Sequence, residues 1–68
     1  MLTEAVLKSY LLDMPSGHIF DLTYQLFAGM YPGETNADAR AKLDALAAAC
    51  NCEVINNEAE GRFELTRR

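Results

Sequence analysis

Apolar residues recur at helical spacing in three stretches of this chain, and a fourth stretch alternates. The first stretch places Val6, Leu7, Tyr10, Leu11 and Met14 on one helical face. Thr3 is positioned as its N-cap, and Glu4 and Lys8 form a favourable i,i+4 pair on another face. Pro15, Ser16 and Gly17 then stop the helix. The second stretch, HIFDLTYQLFAG, carries a stripe of Ile19, Leu22 and Leu26 with Thr23 and Phe27 beside it. Ser16 and His18 are both available to cap that helix, and Gly29 suits the left-handed residue just past its end.

A turn-rich loop, GMYPGET, leads into NADARAKLDALAAAC. There Ala39, Leu43, Leu46, Ala47 and Cys50 fall at i, i+4, i+7, i+8 and i+11. Thr35 and Asp38 resemble a capping box, with aspartate in place of the usual glutamate. The remaining residues read as two strands, Cys52–Asn56 and Arg62–Thr66, around a polar tip. Phe63 and Leu65 alternate with Arg62, Glu64 and Thr66, and Val54 is the natural inward partner on the first strand. Gly61 supplies the positive φ that such a tip often needs. The pattern therefore predicts an α+β chain, three helices followed by a C-terminal β-hairpin. Its expected core is Leu11, Leu22, Leu26, Leu43, Leu46 and Phe63.

Composition narrows the function classes. Sixty-eight residues make one small domain, spanning 1–68, whose core must be well made or shared with a partner. Half the residues are apolar and 24% are charged, a globular balance. No run is long enough to cross a membrane, so no membrane role is expected. The N-terminal stretch carries acid early and no basic leader, so no secretory signal is read and a cytoplasmic location is expected. The net charge of −4 repels phosphate backbones at long range.

Catalytic chemistry finds no footing. The sequence contains no phosphate-binding loop, no zinc-protease motif and no recognisable nucleophile set, so neither enzyme activity, cofactor, metal nor small-molecule substrate is expected. His18 beside Ser16 and Asp13 reads as turn chemistry. Cys50 and Cys52 lack the spacing of a redox pair and have too few neighbouring ligands for a metal site. They read as small buried hydrophobes.

The order of elements, closing in Gly61, Arg62, Phe63, Leu65 and Thr66, resembles the winged helix-turn-helix superfamily. The resemblance covers roughly Leu2 to Thr66 and is one of pattern. It implies a third helix, 35–50, that enters the DNA major groove in DNA-binding members, and a wing, 52–66, that touches the backbone or minor groove. Against that expectation, a turn of about 100° per residue puts Ala37, Asp38, Ala41, Asp44, Ala45 and Ala48 on the outward face of the third helix. Arg40 and Lys42 lie on its flanks, and Asn36 alone among good base readers is well placed. Glu58 and Glu60 put acid on the wing tip.

The outward alanines have two readings: helix stabilisation, or a smooth surface for close approach by a partner. The acidic tip likewise reads as a solvated turn or as a contact for a basic protein surface. Met30 and Tyr31 join the contact surface or cap the core. Two functions follow. The first is a non-enzymatic regulatory module, phage- or plasmid-like in its compactness, working through a protein partner or a homodimer. Its contact candidates are Met30, Tyr31, Ala37, Asp38, Ala41, Asp44, Ala45, Ala48, Glu58 and Glu60. The second is a small DNA-binding transcription regulator using Asn36, Arg40, Lys42, Arg62, Arg67 and Arg68.

Overall fold

The computed structural model describes residues 2–68. Among them the chain forms α1 (Glu4–Asp13), β1 (Ile19–Thr23), α2 (Tyr24–Met30), α3 (Asn36–Ala49), β2 (Cys52–Asn57) and β3 (Arg62–Arg67). The strands make one antiparallel sheet in the order β1-β3-β2, so the fold is α+β. The sheet has one strand more than the sequence pattern predicts.

Thr3 caps α1 as expected, its hydroxyl accepting from the Val6 N–H at 3.3 Å. The buried seam of α1 is narrower than the predicted stripe. Leu7 and Leu11 are fully buried, whereas Val6 and Tyr10 are 40% and 54% exposed. Glu4 does not pair with Lys8 but accepts a hydrogen bond from the Tyr31 hydroxyl at 3.0 Å. Met14 follows α1 in an extended conformation, φ −70° and ψ 133°, as the ring of Pro15 demands of the residue before it.

The expected second helix is the main departure. Its first half, Ile19–Thr23, is strand β1, paired with β3 so that Phe20 faces Leu65 and Leu22 faces Phe63. The stretch IFDLT fits both periods: Ile19 and Leu22 satisfy a helical i,i+3 rule, while Phe20 and Leu22 satisfy alternation. Pairing with a strand some forty residues on decides in favour of alternation, and Ile19 turns outward, 55% exposed. The helix then starts late. Its N-cap is Thr23, which accepts from the Leu26 N–H at 3.2 Å, and neither Ser16 nor His18 caps it. Shifting the helix start also shifts its buried face: Phe27 is in the core, whereas Leu26, expected there, is 43% exposed. Gly29 lies inside α2 rather than past its end, and the left-handed turn falls at Gly33, φ 78°.

Helix α3 follows its predicted register. Thr35 accepts from the Asp38 N–H at 3.1 Å. Ala39, Leu43, Ala47 and Cys50 are buried against the rest of the core, with Leu46 half-buried at its edge. Asn51, φ 57°, ends the helix in the left-handed conformation that a short amide side chain tolerates. Cys50 and Cys52 are both free and buried. The Cys52 thiol donates to the Cys50 carbonyl at 3.5 Å.

The hairpin pairs Val54 with Leu65, as its alternation predicts. Gly61, φ 67°, closes the tip, and its carbonyl accepts from the Tyr24 N–H at 2.9 Å, which ties the start of α2 to the hairpin. Strand β3 lies in the middle. Phe63 and Leu65 point from it into the core, while Arg62 and Glu64 lie on the outer face beside Asp21 of β1 and Ile55 of β2.

Core packing and pleat parity together give a differential expectation. Leu43→Ala and Leu22→Ala should each lower unfolding free energy by about 2–5 kcal/mol, enough to unfold much of so small a protein. Ile19→Thr should change it by no more than about 0.5 kcal/mol, because the residue faces solvent and threonine suits a strand. Urea titrations of the three variants distinguish this register from a helix over Ile19–Leu22, in which Ile19 and Leu22 would count alike.

Candidate interaction surface

The structure sorts the contact candidates into groups. Ala37, Asp38, Ala41, Asp44, Ala45 and Ala48 are all exposed along α3, and Glu58 and Glu60 are exposed at the hairpin tip. Tyr31 does not belong to this surface. It is 5% exposed, its ring packs edge-on to Phe27 with centroids 5.5 Å apart, and its hydroxyl is spent on Glu4. The loop that carries it turns inward because α2, starting late, delivers Phe27 and Tyr31 to the core one turn apart. Met30 is half-buried against the same core. Of the two roles open to this pair, the geometry favours the core.

The cationic candidates are dispersed, and most are already engaged. Arg40 pairs with Asp44 at 2.9 Å, one turn along α3, and lays its guanidinium 5.1 Å from the centre of the Phe63 ring. Lys42, on the other flank of α3, pairs with Glu34 at 2.6 Å. Arg62 lies on the outer face of the sheet, 3.4 Å from Glu64 and 3.6 Å from Asp21. That second separation is within ion-pair range but beyond a hydrogen bond, and the buried Nε of Arg62 has no hydrogen-bond partner. Arg67 donates to the Leu11 carbonyl at 2.8 Å, anchoring the end of β3 to the last turn of α1. Arg68 is exposed, with its backbone N–H on the Asn51 carbonyl. Exposed ion pairs of this kind add little stability. Their consequence here is that Arg40, Lys42, Arg62 and Arg67 each arrive with an acid or a carbonyl beside them.

A groove that pattern reading does not anticipate runs between α2, α3 and the hairpin. It has a volume of about 450 Å³ and is lined by Tyr24, Phe27, Ala28, Asn36, Arg40, Asn56 and Phe63. Its floor is aromatic: Phe63 lies 4.8 Å from Phe27 and 5.2 Å from Tyr24, centroid to centroid, with tilted rings. The Tyr24 hydroxyl donates to the side-chain carbonyl of Asn56. The Asn56 amide in turn donates to Glu58 at 3.4 Å, so the acidic tip is linked to the groove wall. Asn36 and Arg40 come together here, while Lys42, Arg62 and Arg67 do not. Sequence parity held a clue to Asn56, which sits on the same strand face as Val54. Tyr24 and Phe27, spaced i,i+3, were the other signal. It was hidden by the displaced start of α2.

One electrostatic cluster joins α1, the α2–α3 loop and α3. Burial pushes the Tyr31 hydroxyl well above the ordinary tyrosine range, reinforced by its hydrogen bond to Glu4 and by the charges of Glu4 and Glu34. Hydrogen bonding to Glu34 raises the Lys42 ammonium, which remains exposed. Burial also raises the Cys52 thiol, with a further push from Cys50 and opposition from Arg67. That makes Cys52 a poor nucleophile, as expected for a cysteine that fills space.

Comparison with known proteins returns no matching family model, no matching curated protein and no matching solved structure.

The Tyr31 cluster generates a pH dependence with a definite sign. The folded hydroxyl holds its proton more tightly than the unfolded one, so its contribution is complete below the ordinary tyrosine value of about 10 and declines as pH rises past it. Melting temperatures should fall between about pH 9.5 and 11.5, and Tyr31→Phe should make that fall shallower. An equal slope in both proteins would mean that the phenol is not buried against Glu4.

Proposed function

We propose that this protein is a small non-enzymatic regulatory module of the winged-helix type that works through protein contacts inside the cell. The fold half of the reading is supported by the order helix, strand, helix, helix, hairpin, with the early strand joined to the second wing strand. The functional half is carried by one observation. The exposed face of α3, the face a DNA-binding member would present to the major groove, is a row of alanines and aspartates, while Arg40 and Lys42 on its flanks are each paired with an acid. A duplex brought to that face would meet Asp38 and Asp44 with Arg40 and Lys42 both already paired to acid, a repulsive arrangement near phosphate. A protein surface has no such objection. Small side chains let a partner's backbone approach closely, and a domain of this size gains from covering its apolar surface.

A DNA-binding role rests on Asn36 and Arg40, which share the groove with Asn56 beside the hairpin. Using Arg40 on a base would require it to leave both Asp44 and the Phe63 ring, so the protein-contact reading is preferred.

Ala41→Arg and Ala45→Arg test the α3 strip. Both positions are exposed, so the monomer's stability should move by no more than about 0.5 kcal/mol. In light scattering across a concentration series, the parent protein should gain mass and the variants should not. A parent that stays strictly monomeric removes the homodimer and leaves a foreign partner. Salt-sensitive retention of a mixed-sequence duplex in a mobility-shift assay would overturn the proposal in favour of a DNA-binding regulator.

A further inference from the structure

We infer that the aromatic groove between α2, α3 and the hairpin is a docking site for a short basic segment of a partner protein that inserts one large apolar side chain. The inference rests on the protein-contact reading above and locates a second part of that contact, separate from the α3 strip. The floor supplies the apolar half of the recognition. Tyr24, Phe27 and Phe63 form a contiguous ring cluster at the bottom of a groove whose volume matches a small-ligand pocket, enough for one bulky side chain and part of its neighbour. Aromatic floors of this kind are where binding energy concentrates in protein interfaces.

The rim supplies the sign of the partner's charge. Glu58 reaches the wall through Asn56, Glu60 follows on the same exposed tip, and the one charged residue of the lining, Arg40, is paired with Asp44. Arg40 and Asp44 offset each other, and the guanidinium also lies over the Phe63 ring, so Glu58 and Glu60 set the residual sign of the rim. An acidic peptide or a phosphate backbone approaching the floor would meet uncompensated acid. A purely apolar helix would fill the floor and leave the rim charges unused. A segment with lysine or arginine on either side of an apolar anchor satisfies both halves. This also assigns a role to the acid on the hairpin tip, which contributes nothing to the core.

The test uses the intact protein and a fluorescein-labelled decapeptide with a central tryptophan flanked by lysines and arginines. Controls are the same peptide with glutamate at every basic position and a mixed-sequence duplex. The basic peptide should bind, by fluorescence anisotropy, and weaken as salt rises, because the rim attraction is screened. The double variant Glu58→Lys, Glu60→Lys should weaken it roughly tenfold at low salt with an unchanged melting curve. Ala28→Trp places a bulky ring in the groove from an exposed position on α2, so it should abolish binding while the protein stays folded. Preference for the acidic peptide or the duplex overturns the inference, as does basic-peptide binding that ignores Ala28→Trp. If the groove fails in this way while Ala41→Arg still disrupts self-association, the α3 strip stands alone. The protein-contact reading itself falls to salt-sensitive retention of the duplex.

Discussion

The central position of β3 is the constraint on which the other elements depend. Its backbone is shared by β1 on one side and β2 on the other, and its inward residues Phe63 and Leu65 sit opposite Leu22, Phe20 and Val54 across the two ladders. Phe63 also meets Tyr24 and Phe27 of α2 and the guanidinium of Arg40 from α3. One side chain therefore touches residues of α2 and α3 and faces both flanking strands. The end of the strand is fixed in a different way, by Arg67 on the last turn of α1 and by paired backbone bonds to Gly17 and His18.

The positions that sequence patterning read correctly are those whose environment is local. Helix α3 was readable because its cap, its Leu43 and Ala47 seam and its end all lie within one continuous stretch with a single period. The hairpin was readable for the same reason, since Val54 and Leu65 are brought together by a short tip. Strand β1 was not, because IFDLT satisfies two periods and only a distant partner chooses between them. That one ambiguity propagated. It moved the cap to Thr23, exposed Leu26, placed Gly29 inside a helix and brought Tyr31 into the core.

The candidate surface was legible to the same extent. The alanine and aspartate face of α3 could be read from helical geometry alone, and it is exposed as expected. The groove could not, because it is assembled from three elements, one of which starts five residues later than the pattern implied. The state of the cations was also out of reach. Nothing in the sequence says that Lys42 will reach back to Glu34 or that Arg62 will turn to Asp21. Such pairings depend on which faces of the fold meet, and they weigh heavily in the choice between a nucleic-acid surface and a protein surface.

The placement of β3 has a consequence for how the molecule assembles. It comes last in sequence among the described elements and is the middle strand of the sheet, so β1 and β2 both pair with it and not with each other. Helix α3 closes on local contacts and can form early, and the hairpin needs only a short loop. Docking β1 onto β3 must close a loop of some forty residues, and the chain entropy lost in that closure is recovered only once the ladder is in place. Of the two ladders, the one that joins β1 to β3 therefore spans by far the longer stretch of chain.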